Sequence, residues 1–432
     1  MRTGTTGATA TRGRAATTRH IPPTLALSVG MPSSSAPIGW RWVALGDVAR
    51  LESGHTPSRR HPEYWDGAIP WISIQDAKSN HGGTILDTQE HTNELGIANS
   101  SARMLPTGTV CLSRTASVGY VVVTGRPMAT SQDFVNWVCA AGVDPQFLKY
   151  LFIAEGDRLL RFASGAVHQT IYFPEVKAFH ICLPPLREQK RIVEILDQAL
   201  ETTNATKERA QKNMRNANEL LPSILQSAFE REQKATTHRF ALEQLTQQDS
   251  PITYGVVKPG AEGEVSFVRG GDINEGQIRI EELRTITRIV SQQYKRTLLR
   301  GGEILMCLVG QPGQVAVVPP TLVNANIARQ VGLIRLKSDV NAQFVRYFLQ
   351  SPIGQRSLGA KTSGSVQQVI NLRELRNIHV PLPTRTKQDA LVRQLDELTE
   401  ESCRLRRLCG SKIEAVVALN ASVLARAFLG RL

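Results

Sequence analysis

The feature that most constrains this chain is that its second half repeats its first at an offset near 199 residues. That period is far too long for a solenoid unit, so each copy must be a whole domain with its connector. "GAVHQTIYFPEVKAFHICLPPLREQKRIVEILDQ" from Gly165 is answered by "GSVQQVINLRELRNIHVPLPTRTKQDALVRQLDE" from Gly364. Upstream, "IPWISIQD" at 69–76 is answered by "VSFVRGGD" at 265–272, and "FLKYLF" at 147–152 by "FVRYFL" at 344–349. The offset drifts from 196 to 199, as surface loops of unequal length would make it.

After each Leu-Pro comes a long helical pattern with seam positions at alternating spacings of four and three. Ile192, Leu196 and Leu220 lie on the first seam, and Leu391, Leu395, Leu398, Leu405, Val416 and Leu419 on the second, with a constant offset of 199. Two helices of matched length packed along one seam require that constancy. Polar or small seam residues (Thr203, Thr206 and Asn213 against Ser402 and Lys412) weaken packing, fix register and point to a covering partner. Pro222 predicts a kink in the first helix only. The segments before the helices carry short β-rich runs, Gly-punctuated turns and one amphipathic helix each, which predicts two α+β domains.

Composition narrows the class. The formal charge is +13, from 51 basic and 38 acidic residues, a basic excess expected of a polyanion binder. Residues 39–184 hold 12 basic and 13 acidic residues, whereas 239–383 hold 17 and 11. The first segment is near neutral, so this chain alone would grip DNA weakly unless a partner adds positive surface. No run approaches the ~18 consecutive apolar residues of a membrane span, which predicts a soluble, intracellular protein. Residues 1–38, rich in Thr, Arg, Gly and Ser, read as a disordered tail or as an extension upstream of a start at Met31, with folded sequence beginning near Trp40.

Six cysteines are scattered without a C-x-x-C pair and nine histidines complete no metal-binding pattern, so neither a disulfide framework nor a metal site is expected. A DNA methyltransferase needs a Gly-rich methyl-donor loop and a polar residue before a Pro-Pro-aromatic motif. "CLPPL" and "VVPPT" have the Pro pair without the polar residue. Asp157, Glu175 and Lys177 could mimic a nuclease site, but the second copy places Glu374 and Arg376 at the latter two positions. No catalytic residue is assigned.

The residues resemble the specificity subunits of type I restriction-modification systems. The resemblance covers 40–432 and rests on "LGDVARLESGHTPSRRHPEYWDGAIPWISIQD", on the block from Gly165 and on the "ILQSAF" tail. The second copy departs from it: it lacks "TPSRRHPEYWDG" and reads "LPTRTKQ" for "LPPLREQ". The resemblance implies an α+β fold with two target-recognition domains (39–184 and 239–383), each followed by a spacer helix (185–238 and 384–432). The helices would pack as an antiparallel coiled coil and give the repeat a pseudo-two-fold. It further implies a non-catalytic reader of a bipartite, asymmetric target in double-stranded DNA, bound to two methyltransferase subunits and to restriction subunits. S-adenosylmethionine, ATP and Mg are implied for those partners, with no cofactor in this chain, and the expected location is the cytoplasm of a bacterium or archaeon.

Base edges are read by Arg, Lys, Asn and Gln, with Ser and Thr fixing phosphates. On that chemistry the expected DNA-binding residues are Arg59, Arg60, Ser73, Gln75, Lys78, Arg114 and Gln169 in the first domain. In the second they are Lys258, Arg269, Asn274, Gln311, Arg329, Lys361 and Gln367. Trp71 and Phe267, at equivalent strand positions, are expected in the core. The competing reading is a coiled-coil scaffold that organises proteins without touching DNA.

Overall fold

The computed structural model describes residues 27–30, 36–165, 169–236, 238–359 and 369–432. The chain forms two compact units: one takes residues up to Lys207 together with Glu414–Leu432, the other Glu208–Ile413. Both are α+β.

In the first unit a five-stranded sheet runs in the order Ala49–Ser53, Phe134–Cys139, Val110–Ser113, Val121–Thr124, Thr84–Ile85. A second sheet has Trp65–Ile72 at its centre, parallel to Ala129–Thr130 with Trp71 opposite Ala129. The second unit repeats this with Thr253–Tyr254, Val331–Ile334, Ile304–Cys307 and Val315–Val317 in one sheet. In its other sheet Val265–Val268 is parallel to Asn326–Ile327, with Phe267 opposite Asn326. Trp71 and Phe267 are each 4% exposed, so both aromatics pack as expected.

Each unit carries one core helix set by a polar cap. Asp144 Oδ1 accepts from the N–H groups of Gln146 and Phe147 to start Pro145–Glu155, and Asn341 Oδ1 does the same for Ala342–Gln350. The long helices run over Leu186–Ala235 and Arg385–Phe428. The first continues through Pro222, where a kink was expected, for 50 residues in all. Helix ends supply core residues. Leu424, Ala427 and Phe428 join Ile192 and Leu196 in the first unit, while Leu225 and Phe229 join Val392 and Leu395 in the second. The second helix is long and apolar enough to pass for a membrane span, with a window of mean hydropathy 1.4, but its ends are spent in these cores.

Within the second unit Ser402 Oγ donates to Ala217 O at 3.0 Å, and a Cβ on Gly410 would lie 3.7 Å from Met214 Cε. Moving forward on one helix means moving back on the other, so the pair is antiparallel. In the first unit Arg191 donates to Leu432 O, in the same sense. The packing column is narrower than the expected seam. Leu196, Ala210 and Ala217 on one helix, and Leu395, Ser402, Cys409 and Val416 on the other, are buried at spacings of seven or fourteen. Ile192 is buried too and Leu391 half-buried, whereas Leu220, Leu398, Leu405 and Leu419 are 37–51% exposed. Small side chains let the helices close on one column, and the second column of the heptad turns to solvent.

The expected tail needs a correction. Leu27–Val29 is a strand, parallel to Phe179–Leu183 with Val29 opposite Ile181, and it lies upstream of Met31. Val29 is fully buried, Gly30 N–H donates to the buried Glu155 at 2.8 Å, and Arg161 donates to Ser28 O. Three residues are too few for a periodic signal, and their partner strand lies about 150 residues away. Residues 1–26 and 31–35 lie outside the described residues.

Candidate nucleic-acid interface

In each unit, loops converge where the parallel strand pair ends. In the first unit Ser131 N–H donates to Ile72 O at 3.0 Å, Arg114 N–H to Asp133 O at 2.7 Å, and Ile171 N–H to Arg114 O at 2.8 Å. Gly54 is required here, since a Cβ would fall 1.8 Å from Ser131 O. The second unit repeats the pattern: Ala328 N–H donates to Val268 O, Leu308 N–H to Gln330 O, and Ile370 N–H to Leu308 O. The isolated bridge of Thr115 with Thr170 is matched by that of Val309 with Val369. These bonds fix the register between the units. Arg114 corresponds to Leu308, Gln132 to Arg329, and Asp133 to Gln330. Ala116, at φ +60°, corresponds to Gly310, at φ +95°.

The side chains at the two mouths differ. Arg114 is half-buried, donates to Gln132 O at 3.1 Å and Ile171 O at 3.4 Å, and lies 4.9 Å over the Phe173 ring. Burial lowers its pKa, partly countered by Asp133. Gln132 accepts from the Thr56 hydroxyl. Leu308 is buried, and together with Val309, Gly310, Val369 and Ile370 it walls a cleft of about 800 Å³ that also takes in Tyr254, Arg329 and Gln330. A second cleft of about 270 Å³ shares Arg329 and Gln330 and adds Arg269 and Arg284. Arg329 and Arg284 are exposed, and among the described residues neither guanidinium has a partner.

Several expected readers are tied up within the chain. Arg59 makes a two-pronged ion pair with Glu90, one arm at 2.7 Å, and stacks 4.0 Å over Trp65. Its hydrogen bond to Glu90 raises its pKa and lowers that of the carboxylate. Ser73 is a helix cap: its hydroxyl donates to Asp76 Oδ2 at 2.6 Å and accepts from Asp76 N–H at 3.2 Å. Arg269 is held by Asp272 at 2.7 and 3.1 Å, a bond that raises its pKa. Arg114 is spent on the carbonyls described above. Sequence reasoning offered these four as open groups because it sees a side chain's type and not its intrachain partner.

Arg60, Gln75, Lys78, Gln169, Lys258, Gln311 and Arg329 are exposed. Gln169 adjoins Thr170 at the first mouth, and Gln311 and Arg329 lie on the second. Asn274 is exposed but sits on the Ile273–Asn274/Gln277–Ile278 hairpin, whose tip residue Glu275 is clamped by Arg406 of the second long helix at 2.9 and 3.0 Å. It is not brought to the mouth. Lys361 and Gln367 lie outside the described residues. Gln132, Gln330 and Arg284 were missed; the repeat itself carried the signal, since Gln132 and Arg329 are 197 residues apart.

Residues 37–213 match the family model of the type I restriction modification DNA specificity domain. The EcoBI specificity subunit of Escherichia coli is 30% identical over 276 residues, 58% of this chain and 58% of that one. The MjaIX specificity subunit of Methanocaldococcus jannaschii is 30% identical over 162 residues, 37% and 38% of the two chains. The matches thus span from about two fifths to somewhat over half of these relatives. In fold, the chain is similar to one from a type I R-M system solved for complex assembly and conformational transition. There the TM-score is 0.70 at 19% identity, covering 93% of this chain and 100% of the other. The HsdS subunit of Thermoanaerobacter tengcongensis gives 0.55 at 19% identity, covering 92% and 99%.

Proposed function

We propose, from the match of residues 37–213 to the type I restriction modification DNA specificity domain, that the chain is the DNA-recognition subunit of a type I restriction-modification complex. Each unit reads one half of a bipartite duplex target. The two halves differ because the mouths differ. The observation that carries this reading is the pair of register-matched mouths, built by the same backbone bonds and lined by Arg114, Gln132 and Asp133 in one unit and Leu308, Arg329 and Gln330 in the other. A protein scaffold would have no need to hold that backbone while exchanging a cation for an apolar side chain at its mouth.

The chain itself carries no chemistry in this proposal. Methyl transfer and cleavage belong to methyltransferase and restriction subunits, with S-adenosylmethionine, ATP and Mg bound there, in the cytoplasm where the DNA lies. The exposed apolar column of the second long helix, Leu398, Leu405 and Leu408 in the second unit and Leu419 in the first, offers those subunits a docking face. The test is duplex binding by the full chain, alone and with its methyltransferase. Affinity should fall steeply with salt, and the chain alone should transfer no methyl group from S-adenosylmethionine. Salt-independent binding, or methylation by the single chain, would sink the reading. Arg60→Ala should cost about 1–3 kcal/mol at one half-site and leave the other untouched.

A further inference from the structure

Resting on the DNA-reading role above, we propose that Arg329 selects a guanine in the half-site read by the second unit, and that the first unit has no equivalent selector at that place. Contacts to phosphates position a reader and carry no sequence information, so two half-sites of different sequence call for different side chains at the base edges. This position changes from Gln132 to Arg329. Its neighbours change with it: Asp133 to Gln330 along the chain, and Arg114 to Leu308 across the loop. In the first unit the cation at the mouth is pinned by Gln132 O and Ile171 O. In the second, Leu308 removes that cation, and the charge reappears at Arg329.

Arg329 is also preorganised. Its N–H donates to Val256 O at 2.9 Å, while Ala328 N–H is held by Val268 O and Gln330 O accepts from Leu308 N–H. The Cα is therefore fixed from both sides and the guanidinium is exposed above an apolar wall of Leu308, Val309 and Ile370. The clefts also hold Gln330, Asn371 and Glu262, but among the described residues none of these side chains bonds Arg329. An Arg fork with open donors, carried on a held backbone, matches the O6 and N7 acceptors of guanine in the major groove.

The test is selection from a random duplex library by the full chain in complex with its methyltransferase, comparing wild type with R329Q. Wild type should enrich a motif with guanine at one position of one half-site. R329Q should lose that preference by about tenfold or more, keep the other half-site unaltered and unfold at the same temperature. A wild-type motif without guanine overturns the assignment. So does an R329Q that binds all sequences more weakly with an unchanged motif and a shallower salt dependence, which would make Arg329 a phosphate contact. A wild type that enriches no motif overturns the DNA-reading role, and this inference with it.

Discussion

The two units were built from one plan, and what they kept differs in kind from what they changed. They kept the joint between domain and helix. Gln189 is buried, accepts from Asp144 N–H at 2.8 Å and donates to Pro184 O at 2.9 Å; Gln388 is buried, accepts from Asn341 N–H at 2.8 Å and donates to Pro383 O at 2.8 Å. Tyr150 donates to Asp197 as Tyr347 does to Asp396. The Phe428 ring packs 5.3 Å from Phe147, and the Phe229 ring 5.3 Å from Phe344. At the mouth, by contrast, the backbone bonds persist while the side chains are exchanged. Polar groups buried at the joint have no water to fall back on, so their partners are fixed. At the mouth Gln132 and Arg329 are exposed, so water can satisfy either side chain and the residue type is free to differ.

The comparison breaks most visibly at the phenylalanines. Phe428→Ala should cost about 3–5 kcal/mol and raise amide exchange first in the first unit. Phe229→Ala should do the same in the second. If either variant loosens both units equally, the helix ends are not separate core elements.

Gln189→Leu and Gln388→Leu leave a part-buried N–H and a buried carbonyl without partners and should each cost about 2 kcal/mol, read by denaturant unfolding. The first should be the more damaging, because Gln189 also donates to Gly142 O at 3.0 Å. Equal tolerance of both would mean the joint is held by apolar packing alone.

The smallest effect is expected from Tyr150→Phe and Tyr347→Phe, about 1.5 kcal/mol each for a hydrogen bond to a charged group. Burial first, and then the carboxylate partner, raise both phenol pKa values. A raised pKa means the folded state holds the proton more tightly, so this contribution is full below the ordinary value of 10.0 and fades as pH rises above it. The gap between wild type and variant should narrow in alkaline unfolding experiments. A gap that widens would contradict the assigned partners.

The sequence by itself determined the repeat, the two α+β halves, the paired long helices and the burial of Trp71 and Phe267. Those are periodic or repeated signals, and periodicity acts locally along the chain. Only the tertiary structure decided which seam leucines pack, that Leu27–Val29 is a strand, and which arginines are open. Arg59 meets its Glu90 across 31 residues, Arg114 meets Ile171 O across 57, and Arg406 meets Glu275 across 131. A side chain's chemical type is written in the chain, but whether its charge is already spent depends on what the fold sets beside it.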